Sequence, residues 1–190
     1  MAPANKTYRI LGVNSLHVLT DGGASITATA LAFVNQVNFN SDIGTVDFQG
    51  DQQQERVYVD NGFTVEAICD KYDLKGISTA FGKSVVTSGA GLSGIAERTY
   101  FGETAQTAGV SVGVRCTVSA VDSISGATKT CRIEVPVSTL SVVEPPNLQY
   151  NGKGQMRVRF TATKTSVDIT GDALPSVPTG GCTWFWDELS

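Results

Sequence analysis

The sequence has few of the side chains that catalysis and metal binding use most often. Its one histidine, His17, lies in an apolar, strand-like run and is a weak candidate for a general base. Its four cysteines show no Cys-x-x-Cys spacing, so a zinc site is not indicated. A His-Glu-x-x-His motif is also absent. We therefore expect no enzyme activity, no bound metal and no cofactor.

Basic patches, long apolar runs and a secretion signal are missing as well. The formal net charge is −4 and the lysines and arginines are scattered, which argues against binding nucleic acid through its phosphates. No segment approaches the roughly 20 apolar residues that a membrane-spanning helix needs, and the first residues contain no apolar signal core. We expect a protein made and kept in a cytoplasm, where its cysteines are free thiols.

Residues typical of strands and turns dominate what remains. The 190-residue chain contains 20 glycines and many short stretches in which apolar and polar side chains alternate. This pattern predicts one mainly β domain over residues 1–163, an antiparallel β-sandwich or barrel with long loops. We expect Ile26, Ala28 and Ala30 to face its core. Early strands are predicted at 8–11, 16–19, 25–33, 37–39 and 45–48, with a turn at 21–23.

The strongest turn signal is Asp60-Asn61-Gly62, which lies between two strand-like runs in residues 54–69. A three-residue loop with Gly62 in the left-handed conformation would place Val57 opposite Val65 and Val59 opposite Phe63. That register collects the apolar side chains on one face, so we predict a hairpin here.

A single short helix is predicted directly after this hairpin. Asp70 can cap its first turn, and Leu74, Ile77 and Phe81 recur at helical spacing before Gly82 offers a left-handed stop. Residues 82–94 are rich in glycine and serine and predict a long loop.

A second hairpin is predicted between residues 110–119 and 130–137. A turn centred on Ile124 and Ser125 puts Arg115 opposite Glu134 and makes Val114 face Val135. In that register Cys116 and Cys131 lie on one face as diagonal neighbours, a position that permits a disulfide without requiring it. Pro136 cannot donate to a ladder, so we expect this strand to run along a sheet edge near its end.

The last regular strand is predicted at residues 156–162, and residues 164–190 form an extended C-terminal segment. The acidic pair Asp187 and Glu188 there is interpreted as a solvated chain end. The aromatic run Trp184-Phe185-Trp186 would be a liability in water. It either folds back on the core of its own chain or binds a neighbouring subunit, and the sequence favours neither.

This order of elements resembles the tail tube (major tail) proteins of long-tailed bacteriophages. The likeness rests on the run Val-Tyr-Val-Asp-Asn-Gly-Phe-Thr-Val-Glu-Ala at 57–67, on Asp-Lys-Tyr-Asp-Leu at 70–74 and on the closing strand 156–162. It extends over most of residues 36–163, and residues 172–190 fit the family pattern least.

The resemblance implies a structural virion protein with no enzyme activity, assembled in the bacterial host cytoplasm and located in the virion tail. Its partners would be further copies of itself, joined in hexameric rings that stack into a tube, and other tail proteins. DNA would pass through without specific binding. Residues expected at contacts between subunits are Lys83, Val85, Val86 and Leu92 in the loop and Trp184, Phe185 and Trp186 in the C-terminal segment.

A second interpretation comes from a different class of protein. A β-sandwich binding module, or a module that decorates a phage capsid, would also be mainly β and acidic. Such a module would expose one cluster of aromatic side chains and stay monomeric or trimeric. A tube protein instead needs two separate contact surfaces, one that closes a ring and one that stacks rings.

Overall fold

The computed structural model describes residues 7–49, 54–70, 111–144 and 154–189. These residues form eight strands. The strands are β1 (Tyr8–Asp21), β2 (Ile26–Ala30), β3 (Val34–Gln49), β4 (Gln54–Cys69), β5 (Ser111–Asp122), β6 (Thr128–Glu144), β7 (Met156–Ala162) and β8 (Phe185–Glu188).

All eight strands belong to one antiparallel sheet, which confirms the mainly β prediction. The strand order is β2-β1-β5-β6-β7-β4-β3, and β8 pairs with β6 beside β7. The described residues contain no helix. No ladder among the described strands joins β3 to β1 or β2, so the sheet is not closed.

The sheet curves around an apolar core, the one buried cluster found among the described residues. Although four strands separate β1 from β3 in the sheet, the two strands contact each other. Leu16 and Val18 of β1 belong to the same buried cluster as Phe63 and Val65 of β4. Burial of such side chains contributes on the order of 2 kcal/mol each, so this cluster is the main source of stability. Its remaining buried members are Leu31, Ala67, Cys69, Val112, Val114, Cys116, Val118, Ala120, Cys131, Ile133, Val135, Leu140, Met156, Val158 and Phe160.

The β5–β6 hairpin has the predicted register. Arg115 lies opposite Glu134 and Val114 lies opposite Val135. The Arg115 Nε atom donates to Glu134 Oε2 at 2.6 Å. Cys116 and Cys131 share the buried face as predicted, and both are free thiols. The register predicted from charge pairing and burial is therefore the register that the fold adopts.

The hairpin predicted at Asp60-Asn61-Gly62 is wrong. Residues 54–69 form one continuous strand, β4, which pairs along its length with β3. Gly62 has a φ of 118°, but it lies at a β-bulge: Asp42 pairs with Gly62 and Ile43 with Asp60, which leaves Asn61 without a partner in the register. A glycine with positive φ serves a bulge as well as a turn.

Two predictions that depend on a strand's position in the sheet are also wrong. β2 is the strand at one end of the sheet, and Ala28 and Ala30 are exposed there instead of facing the core. The strand with Pro136 is β6, which lies inside the sheet. β8 pairs with β6 as far as Glu134, and β7 pairs with β6 only from Ser138 onwards. Pro136 is accommodated because it lies between these two stretches, at a bulge in the pairing of β6 with β5.

The predicted helix from Asp70 to Phe81 lies outside the described residues except for Asp70 itself, as does the predicted loop at 82–94. The turn at residues 21–23 is confirmed, with Gly23 at a φ of 86° between β1 and β2. The strand at 156–162 is confirmed as β7, with Met156, Val158 and Phe160 buried.

Candidate assembly surfaces

The C-terminal aromatic segment folds back on its own chain. β8 continues the sheet beside β6, where Trp186 lies opposite Ile133. The Trp186 ring packs against the core and lies 5.7 Å, centroid to centroid, from the ring of Tyr8. Its indole Nε1 is buried and has no acceptor in the described part of the chain. Of the two positions that the sequence left open, Trp186 takes the one on its own core.

Trp184 lies at the rim of the same core. Its ring stacks on Phe63 with centroids 5.7 Å apart and planes 16° apart, and Phe63 in turn stacks on Phe39 at 6.2 Å. The Trp184 residue is 44% exposed. One part of its ring therefore covers Phe63 while the rest remains accessible to a partner.

Ion pairs fix the polar side of β8. Arg132 on β6 donates through Nε to Asp187 Oδ2 at 3.1 Å, and its guanidinium carbon lies 5.9 Å from the centroid of the Phe185 ring. Lys129 Nζ is 3.1 Å from Glu188 Oε1, and the Tyr8 hydroxyl donates to Glu188. Asp187 and Glu188 are thus ion-pair partners of β6, and the interpretation as a solvated chain end is wrong.

The segment that connects β7 to β8, residues 163–184, is held by its own hydrogen bonds. Thr165 and Cys182 exchange two backbone hydrogen bonds at 2.9 and 2.8 Å, so both ends of the segment meet. Inside it, the Thr170 hydroxyl donates to Asp168 and lowers the pKa of that carboxyl. β8 is therefore attached to the sheet through a closed loop.

The two end strands of the sheet are the second candidate surface. Within the described residues, β2 pairs only with β1 and β3 pairs only with β4, so each offers a free edge of backbone groups. The sequence of β2 is Ile-Thr-Ala-Thr-Ala, and β3 begins Val-Asn-Gln-Val-Asn-Phe-Asn-Ser. Neither stretch contains a charged residue or a proline, the features that usually protect an edge strand from pairing.

The outer face of the sheet carries charges that already have partners. Glu134 is 5% exposed and also lies 3.6 Å from Arg132 Nε. Glu66 on β4 accepts from Arg159 at 2.8 Å and lies 3.5 Å from Arg157. These clusters stabilise strand register, and their buried carboxylates are neutralised by arginine.

The catalytic candidates lie in strands. His17 is a half-buried residue of β1, and its Nδ1 has no hydrogen-bond partner among the residues described. Residues 109–113 match the Gly-x-Ser-x-Gly pattern of hydrolases, but Ser111 begins the long antiparallel strand β5 instead of a strand-to-helix turn. The described residues hold no group of three or more His, Cys, Asp or Glu side chains arranged for a metal ion.

Four of the expected contact residues, Lys83, Val85, Val86 and Leu92, lie outside the described residues. The structure adds a residue that pattern analysis missed. Phe33, in the turn between β2 and β3, is 58% exposed and has a φ of 57°. Its surroundings in sequence are apolar, so no local signal marks it as exposed.

No protein-family model matches the chain, and no curated protein sequence is significantly similar to it. In the described part of the chain, no helix has the length and apolar character that crossing a membrane requires.

Proposed function

We propose that this chain is a structural virion protein that assembles into stacked hexameric rings and forms the tail tube of a long-tailed bacteriophage. The tube is the conduit through which DNA leaves the virion. In this role the chain has no catalytic activity, and its functional surfaces are the ones that contact further copies of itself and other tail proteins.

The observation that carries this proposal is the pair of sheet edges, β2 and the first half of β3, that are unpaired within the described residues and contain no charged side chain. An edge strand without charge or proline is a template for pairing with another strand. β2 and β3 are different strands at opposite ends of one sheet. Contact between the β2 edge of one copy and the β3 edge of the next is heterologous, and such contacts form rings or filaments instead of closed dimers.

The curvature of the sheet supports a finer proposal about the fold. Because β1 and β4 both contribute to one buried cluster, the described strands enclose the core from two sides. We infer a β-sandwich with two layers. One layer contains β2, β1, β5 and the half of β6 that pairs with β5, and the other contains β7, β4 and β3. The single helix at residues 70–81 belongs to this proposal as well.

The charge of the chain is compatible with a passage for DNA. A net charge of −4 gives no general attraction for phosphate groups. A channel wall that bound phosphate would slow the movement of the genome, whereas a neutral or repulsive wall does not.

The test is negative-stain electron microscopy of the purified protein over a concentration series, with light scattering on the same samples. Rings and striated tubes whose abundance rises with concentration are expected. A monodisperse monomer or compact trimer at high concentration would refute the proposal. It would favour the capsid-decoration or binding module, with the accessible part of Trp184 as the first surface to probe.

A further inference from the structure

We draw no further inference here: the strongest candidate, the exposed part of the Trp184 ring at the end of its stack with Phe63 and Phe39 beside the end strand β3, is an apolar surface patch, and nothing in the described part of the chain shows what covers it.

Discussion

Replacing Trp186 with phenylalanine separates two properties that this side chain combines. Its ring packs on the core beside Tyr8, which stabilises the fold, whereas its indole N–H is buried without an acceptor in the described residues, which costs free energy. Phenylalanine keeps most of the ring and removes the N–H group. Alanine removes both.

The two substitutions should differ clearly in magnitude. An aromatic-to-alanine change in a core costs about 3–5 kcal/mol, and because Trp186 is only half-buried we expect about 3 kcal/mol for Trp186→Ala. For Trp186→Phe, a packing loss of about 1–2 kcal/mol is offset by removal of an unsatisfied donor that costs about 1–3 kcal/mol. Trp186→Phe should therefore stay within about 1 kcal/mol of the unmodified protein.

Urea unfolding followed by far-ultraviolet circular dichroism measures both values under conditions where the protein is monomeric. Trp184→Phe is the control for loss of an indole, since Trp184 lies at the rim and is 44% exposed. It should change stability by less than about 1 kcal/mol. If Trp186→Phe loses as much stability as Trp186→Ala, the indole N–H is paired in the native state and the reasoning is refuted.

Two further predictions concern the bulge in β4 and a buried thiol. Gly62→Val should destabilise the fold by about 1–3 kcal/mol in urea unfolding, because φ is 118° and a Cβ atom there would meet no other atom within 4 Å, so the cost is backbone strain alone. Gly12→Ala, equally open but without a positive φ, should be near neutral; equal effects would contradict the bulge. Burial raises the pKa of the Cys116 thiol from 9.0 to about 11. As the pH rises, the unfolded chain therefore loses this proton before the folded chain does. The contribution of this thiol to the free energy of unfolding is complete below pH 9 and is lost as the pH rises towards 11. Unfolding of Cys116→Ala at pH 8, 9, 10 and 11 should show a weaker decline than the unmodified protein, and an identical decline would contradict the assigned burial.

The β5–β6 hairpin shows when the sequence determines a register. Shifting either strand by one residue would bury Arg115 or Glu134 without its partner and expose the valines that alternate with them. The turn length, the charge pair and the apolar face all require the same alignment. Local information was sufficient because the two strands are joined by a short turn.

The strand at Gly62 shows where local information is insufficient. Asp-Asn-Gly indicates a residue with positive φ, and that is found, but such a residue fits a hairpin turn or a bulge. The choice depends on whether a partner strand continues past the glycine. β3 does so, pairing with residues on both sides of Gly62, and nothing in residues 54–69 encodes the length of β3.

The burial of β2 and the pairing of β6 likewise depend on where each strand lies in the sheet. Alternation of alanine with threonine marks two faces, yet at the end of the sheet neither face is fully covered, so Ala28 and Ala30 are exposed. Pro136 indicates a position without a ladder hydrogen bond, which from sequence alone predicts a strand at the edge of the sheet. The gap instead arises where two strands, β8 and β7, share one side of β6.

The C-terminal aromatics could not be assigned from sequence because their partners are remote along the chain. Trp186 meets Tyr8 and Trp184 meets Phe63. This placement determines which experiment can probe assembly. Removing β8 would uncover Ile133 and leave Arg132 without Asp187, so a truncated chain should fail to fold before any contact between subunits is lost. Assembly is better tested by a point change at a partly exposed position such as Trp184, which is 44% exposed, because the monomer should then retain most of its stability while a contact with a neighbouring copy would be lost.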